Sequence, residues 1–195
     1  MKTIINPRTG VLALMVVAAG AWRLLISGEY SPLTNFTPIG AMALFGGCYF
    51  TDKWKAYAVP LLTLWLSDLV LGYFIYYHKL VWFYDGFLWT YAGFALMVMM
   101  GAFIKKVNVK NVVLASVSAA LVHLLISNFG VWLNRICITT GQPFTQDIEG
   151  LLLCYSLALP YMMNMLIGNL VFGGIMFGAF EWAQKKYPQL QLRTA

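Results

Sequence analysis

The sequence predicts an all-α integral membrane protein, a single domain of six transmembrane helices with both chain ends in the cytoplasm. Of its 195 residues, 61% are hydrophobic and only 10% are charged, whereas a soluble domain carries about 25% charged residues. Apolar runs alternate with short charged clusters, and the basic residues fall on alternate connections. This composition argues against a nucleic-acid-binding protein, a secreted disulfide scaffold or a cytosolic enzyme, and it predicts a lipid bilayer as the surroundings.

Six apolar stretches account for the predicted spans, since a transmembrane helix needs roughly 20 such residues. The second stretch is short, but Thr37 is a suitable N-cap and Pro38 suits a first helical turn. The run from Gly150 to Glu181 is too long for one span, so Pro160 is predicted to separate a short outer helix, 150–158, from the last span. The predicted spans are 9–27, 37–50, 56–77, 87–104, 111–133 and 160–180.

The first apolar run also has the pattern of a secretory signal peptide. Lys2 and Arg8 precede it, and the small residues 19–21 resemble a cleavage site. The apolar run continues beyond that site, from Trp22 to Ile26. We therefore interpret it as a retained first helix.

The basic residues predict the orientation. With six spans, one side of the membrane has only Lys79 and Arg135, and Arg23 lies near the end of the first span. The positive-inside rule then places both chain ends in the cytoplasm. Ten basic residues fall on one side: Lys2, Arg8, Lys53, Lys55, Lys105, Lys106, Lys110, Lys185, Lys186 and Arg193.

Polar residues within the spans are the candidate binding residues, because a charge at mid-span costs about 2.5–3.5 kcal/mol on insertion scales. Helical spacing places Ser116, His123 and Ser127 on one face of the fifth span. We expect a pocket open to the outside, with Arg23 and Asp68 as a charge pair at its wall. The alternative is a packing ion pair and interhelical hydrogen bonds. These candidates are Arg23, Asp68, His123, Asn128 and Asn164.

Aromatic residues crowd the outer end of the third span and the loop after it. Most are typical of an interfacial belt, but their density also fits a lid that stacks on a flat ligand. We expect Trp82, Tyr84 and Trp132 to stack on or close over a ligand, with His78 in the same loop.

The three cysteines separate by predicted topology, with Cys48 on the cytoplasmic side and Cys137 and Cys154 outside. The outer two are candidates for a disulfide in an oxidising compartment or for soft ligands to a metal centre. Inert buried thiols are the third interpretation.

Catalytic and metal-site motifs are absent from the sequence: there is no Gly-x-Ser-x-Gly, His-Glu-x-x-His, phosphate loop or Cys-x-x-Cys. We expect no enzymatic activity and no cofactor other than a bound vitamin as substrate. Two alternatives to a binding protein remain: an accessory subunit of a larger membrane complex, and an intramembrane enzyme with Asp68 and His123 as an acid–base pair.

Two motifs carry a family resemblance. The segment Asn35-Phe-Thr-Pro-Ile-Gly40 opens the second span, and Ser67-Asp-Leu-Val-Leu-Gly72 lies in the third. Both resemble motifs of a family of small bacterial membrane proteins of uncharacterised function, in which Asn35, Asp68 and Gly72 are motif positions. Asn35 is therefore a further candidate ligand-binding residue. That family is more distantly similar to the substrate-binding S components of energy-coupling factor (ECF) vitamin transporters.

The S-component resemblance implies an outward-facing site for a vitamin-like molecule between the outer loops and spans 4–6. It also implies docking of span 1, through small residues, onto a membrane coupling subunit. Span 1 lacks a clean Ala-x-x-x-Ala pair, so a solitary transporter of the cobalamin type fits better, with Cys137 or Cys154 as a cobalt ligand. We therefore expect an uptake protein for a small ring-containing nutrient, a vitamin or cofactor precursor, with an S-component-like bundle.

Overall fold

A computed structural model describes residues 7–26, 33–134, 136–137 and 139–191. In this part of the chain the structure is all-α, with six helices and one isolated antiparallel bridge between Ile136 and Pro143. The topology markers Lys2, Arg135 and Arg193 lie outside the described residues. The helices are α1 (Pro7–Ile26), α2 (Ile39–Tyr49), α3 (Lys53–Leu71), α4 (Phe87–Ala102), α5 (Val109–Asn134) and α6 (Ile148–Lys186).

Four of the helices, α1, α3, α5 and α6, are long and apolar enough to cross a membrane. Alpha-helix α4 has 16 residues and α2 has 11, so they extend only about 24 Å and 16 Å at 1.5 Å per residue. The predicted membrane class is therefore confirmed, and the bounds of the first five predicted spans agree closely with the helices. A π-helical turn (Gly72–Tyr76) continues α3, and a 3₁₀ turn (Pro188–Leu190) follows α6.

The predicted break at Pro160 is wrong, because α6 runs without interruption from Ile148 to Lys186. A proline inside a helix removes one backbone hydrogen bond, but membrane helices tolerate this loss where neighbouring groups compensate. The short outer helix predicted over 150–158 is the first part of the same helix. At 39 residues α6 is about 58 Å long, which exceeds a hydrocarbon core of about 30 Å.

Alpha-helix α2 is the centre of the bundle. Nearly all its residues are buried, as expected for a helix that is apolar on every side. Glycines allow its neighbours to approach closely: a Cβ atom at Gly47 would lie 1.9 Å from the Val98 carbonyl oxygen, and one at Gly101 would lie 2.2 Å from that of Leu44. These contacts lock α2 and α4 together by direct backbone packing.

One end of the bundle, which we call the basic end, contains the start of α1 and the ends of α2 and α6. Arg8 joins all three, since its guanidinium donates to the Tyr49 carbonyl oxygen, to Gln184 Oε1 and to the Leu190 carbonyl oxygen. Tyr49 in turn donates its hydroxyl proton to Glu181 Oε1, 2.6 Å away. This network closes the bundle at the basic end.

At the opposite end, which we call the cavity end, lie the end of α1, the start of α4 and the end of α5. Gly93 and Gly130 bring α4 and α5 together, because Cβ atoms there would lie 3.0 Å from His123 Cδ2 and 2.1 Å from Trp89 Cγ. The short α2 begins well inside the bundle and does not reach this end. A space therefore remains above its first turn.

Candidate functional site: a cavity above the first turn of α2

A cavity of about 530 Å³ occupies the space above α2 and extends to the loops at the cavity end. Its floor includes Thr37 and Ile39, where α2 begins, and Met165 of α6. Its apolar wall includes Phe94. Six of the residues predicted from the sequence to bind a ligand line this cavity: Arg23, Asn35, Asp68, Tyr84, His123 and Asn128.

Arg23 of α1 and Asp68 of α3 form the predicted charge pair at the cavity wall. Arg23 Nη1 donates to Asp68 Oδ1 and to Ser67 Oγ, each at 2.6 Å. Tyr91 of α4 donates its hydroxyl proton to Asp68 Oδ2 at 2.7 Å. Both carboxylate oxygens thus have a partner, and the pair ties α1, α3 and α4 together.

His123 of α5 forms the opposite part of the wall and is 9% exposed. Its ring packs on the Phe94 ring with centroids 4.6 Å apart. Ser127, one turn further on, donates its hydroxyl proton to the His123 carbonyl oxygen at 2.6 Å. His123 Nε2 is buried and has no hydrogen-bond partner among the described residues, so this wall includes an unused polar group.

Asn128 and Tyr84 add hydrogen-bonding groups higher in the cavity. Asn128 Nδ2 donates to the Leu124 carbonyl oxygen at 3.0 Å. Tyr84 lies in the loop before α4, where burial raises the pKa of its phenol to about 12. The Tyr84 hydroxyl is also hydrogen-bonded to Thr90, another residue of the cavity lining.

Both sequence motifs contribute to the cavity. Asn35 has a positive φ of 69°, a conformation that Asn tolerates better than most residues, and its carbonyl oxygen accepts from the Thr37 N–H at 2.9 Å. This turn leads the chain into α2. In the second motif Asp68 holds Arg23, and Gly72 begins the π-helical turn that brings Tyr76 to the cavity wall.

A model of one protein family matches residues 3–190, nearly the whole chain. The chain belongs to DUF6580, a family of unknown function. No curated protein and no solved structure matches the chain. The predicted membership of a family without a characterised function is therefore confirmed for this DUF6580 protein, whereas its similarity to ECF S components stays a prediction.

Four of the predicted binding residues lie away from the cavity lining. His78 is exposed in the loop after the π-helical turn, and Trp82 is exposed beside Trp65, with ring centroids 6.0 Å apart. Trp132 donates from Nε1 to the Thr145 carbonyl oxygen at 2.8 Å and holds the loop between α5 and α6. Asn164 Nδ2 donates to the Thr34 carbonyl oxygen at 2.9 Å, so it positions a cavity residue.

The two outer cysteines are buried together in a small cluster with Phe144, and both are free thiols. Hydrogen bonding to Thr139 lowers the pKa of Cys137, which lies in the loop, to about 7. Neither Cys137 nor Cys154 lines the cavity. Within the described residues no three His, Cys, Asp or Glu side chains are grouped to hold a metal ion, and Cys137 or Cys154 as a single cobalt ligand stays a prediction.

Asp68 and His123 line the same cavity but are not hydrogen-bonded to each other. Asp68 is engaged by Arg23 and Tyr91, and His123 Nδ1 lies 3.4 Å from Ser127 Oγ. An acid–base pair needs its members within hydrogen-bond reach of each other or of one substrate atom. An acid–base role for the two residues stays a prediction.

Sequence reasoning missed two residues of this region. Tyr91 lies in the apolar run of the predicted fourth span, and only the packing of α4 on α3 brings its hydroxyl to Asp68. Asn169 is 0% exposed inside α6, and an amide within an apolar run is itself a signal of a functional or packing role. Its contact with Gly40, at the start of α2, is evident only from the tertiary structure.

Proposed function

We propose that this DUF6580 protein is a membrane binding and uptake protein for a small ring-containing nutrient, such as a vitamin or cofactor precursor. The observation that carries the proposal is the cavity of about 530 Å³, which combines apolar walls with several buried polar groups. Small-molecule sites have volumes of about 300–1,000 Å³ and this mixed lining. A packing role for the same polar groups would not require the space between them.

The size and lining of the cavity restrict the class of compound that fits it. Phe94, Tyr76 and Tyr84 supply ring surfaces, while Asn128 and Arg23 supply hydrogen-bonding groups at the sides. This arrangement suits a compact ring compound with polar substituents. A corrinoid macrocycle is larger, so the cavity favours a smaller vitamin over the cobalamin type.

The proposed orientation places the cavity end outside the cell. The basic end contains Lys53, Lys55, Lys185 and Lys186, at the start of α3 and the end of α6. By the positive-inside rule such residues remain in the cytoplasm. The proposal includes six spans, with α2 and α4 as the short ones, and both chain ends at the cytoplasmic face of a bacterial inner membrane.

An S-component-like mode of action, with a separate coupling subunit docking on α1, is part of the same proposal. Leu14, Val17 and Leu25 of α1 are exposed apolar residues, so this helix can contact either lipid or a partner helix through them. Gly20, in contrast, is used internally, because a Cβ atom there would lie 2.2 Å from Thr63 Cγ2.

The binding proposal is tested by ligand-dependent thermal stabilisation of the purified full-length chain, using a panel of water-soluble vitamins as probes. Ligand that binds only the folded state raises its stability in proportion to the logarithm of concentration. We expect at least one vitamin to stabilise the wild type, and His123→Ala and Asp68→Ala each to abolish that shift relative to their own ligand-free baselines.

His78→Ala is the matched control, because His78 is exposed and lies outside the cavity lining. It should retain the full ligand-dependent shift. If the shift survives in both His123→Ala and Asp68→Ala, the assignment of the site to this cavity is wrong.

A second function, an accessory subunit of a larger membrane complex, is favoured by one observation. Gly174 and Gly178 form a small-xxx-small pair on an exposed face of α6, and Cβ atoms there would meet nothing within 4 Å. Such pairs allow close helix association in membranes. Extraction in a mild detergent, followed by co-purification at fixed stoichiometry with one large assembly, would support this role over uptake.

A further inference from the structure

The first turn of α2 lies inside the bundle, at the floor of the cavity. Alpha-helix α2 is only about 16 Å long, and its last residue, Tyr49, is at the basic end. Ile39 and Ala41 of the first turn are 5% and 0% exposed. Thr37 and Ile39 nevertheless line the cavity, so this helix start is adjacent to any ligand bound there.

The backbone N–H groups of this turn are not used. The first N–H groups of any helix have no partner within the helix, and Pro38 supplies no side-chain cap. The Met42 N–H donates to the Pro38 carbonyl oxygen, but no described residue accepts from the N–H groups of Ile39, Gly40 or Ala41. Three donors and the positive end of the helix dipole are therefore free for an anionic partner.

Asn169 of α6 gives independent support for a ligand at this position. It is 0% exposed, and neither atom of its amide has a hydrogen-bond partner in the described chain. A Cβ atom at Gly40 would lie 2.1 Å from Asn169 Oδ1, so the amide packs against the first turn of α2 through its oxygen atom, while its Nδ2 is buried and also has no partner among the described residues. A buried amide without partners is costly, which indicates a function that includes pairing with something else.

The remaining charges of the cavity do not oppose an anion at the floor. Arg23 and Asp68 neutralise each other at the wall. Asp85 lies in the loop before α4, near the mouth of the cavity. The residues that line the floor, Thr37, Ile39 and Met165, carry no acidic group.

We propose that the first turn of α2 binds a carboxylate of the ligand, with Asn169 Nδ2 as a further donor. The ligand is then a ring compound bearing a carboxylate, whose apolar body lies against Phe94. Met165, one turn before Asn169 on the same face of α6, lines the cavity, so Asn169 lies one turn further from the cavity end than the lining. This inference rests on the proposed binding function and adds the chemical class of the ligand.

The test compares matched acids and amides on the purified full-length chain. The probes are one-ring and two-ring pairs, benzoate with benzamide and 2-naphthoate with 2-naphthamide, alongside the vitamin panel divided into carboxylates and neutral compounds. Binding is measured by thermal stabilisation over a concentration series. We expect the acids to bind about tenfold more tightly than the amides, the usual effect of adding charge to a hydrogen bond.

Asn169→Leu should reduce acid binding about tenfold and amide binding by a smaller factor, because the hydrogen bond it removes is charged only with the acid. Asn134→Leu is the matched control, because Asn134 lies at the end of α5, where its Nδ2 donates to the Gly130 carbonyl oxygen at 3.5 Å, away from the first turn of α2. Asn169→Asp is a second variant, whose own carboxylate would occupy the turn and remove the acid preference. It keeps the test decisive if the leucine variant does not fold.

Two results separate failure of this inference from failure of the proposed function. If amides and neutral vitamins bind the wild type as tightly as acids, the carboxylate site is refuted while the binding function stands. If no member of the panel binds, both are refuted.

Discussion

The Arg23–Asp68 pair offers the sharpest test of how the cavity wall is held together. The two side chains are 15% and 12% exposed and their charged atoms are 2.6 Å apart. Removing one partner of a buried pair leaves the other charge uncompensated and typically costs about 3–5 kcal/mol. We therefore expect Asp68→Leu and Arg23→Met each to be strongly destabilised.

The expected shift in melting temperature follows from the size of the chain. For 150–250 residues, 1 kcal/mol changes Tm by roughly 2–4 °C, so each single variant should lose roughly 6–20 °C. The double variant Arg23→Met with Asp68→Leu should recover most of this loss, because no charge remains unpaired. Tyr91→Phe removes only one hydrogen bond to the carboxylate and should cost about 1.5–3 kcal/mol.

Thermal unfolding of the wild type, the two single variants Arg23→Met and Asp68→Leu and their double variant in one detergent, analysed as a double-mutant cycle, measures the coupling directly. Single variants within about 2 °C of the wild type would show that the pair contributes little to stability. A double variant as unstable as the sum of the singles would show that the two charges do not compensate each other. Either outcome would refute the reasoning above.

Two further predictions concern helix packing and orientation. Gly47→Ala and Gly101→Ala should each sharply lower thermal stability or expression, because the added Cβ atoms would meet backbone oxygens at 1.9 Å and 2.2 Å. Gly174→Ala and Gly178→Ala are the controls: their Cβ atoms would meet nothing within 4 Å, so stability should be unchanged or rise by up to about 1 kcal/mol through helix propensity. Equal effects at all four sites would contradict this packing. For orientation, Lys79→Cys and Lys106→Cys are made in a chain with Cys48, Cys137 and Cys154 replaced by Ser. Both lysines are exposed, so labelling in intact cells should depend only on the side of the membrane where each cysteine lies. A membrane-impermeant maleimide should modify only the Lys79→Cys variant, and the opposite pattern would invert the proposed topology.

Much of the fold was predictable because a bilayer imposes simple rules. The lengths of the apolar runs and the spacing of the basic clusters predicted the bounds of five of the six helices closely. The error at Pro160 arose because a proline rule from soluble helices was applied to a membrane helix, where neighbouring groups offset one lost backbone hydrogen bond. Local sequence does not indicate whether such compensation is present.

The candidate site was predictable in part. Arg23, Asp68 and His123 were found because polar groups in apolar spans are costly and therefore informative. Trp82 and Trp132 lie outside the cavity lining, and the sequence does not reveal this because an aromatic side chain suits both an interface and a binding pocket. Trp132 instead holds the loop between α5 and α6 through the Thr145 carbonyl oxygen.

The sequence by itself determined the membrane class, the approximate helix bounds and a short set of intramembrane polar residues. These follow from hydropathy and charge, which act residue by residue. Only the tertiary structure decided that α2 begins inside the bundle and that a cavity lies above it. It also decided that Tyr91 meets Asp68 and that Asn169 meets Gly40. Such contacts join residues far apart in the chain, and they depend on how closely whole helices approach each other.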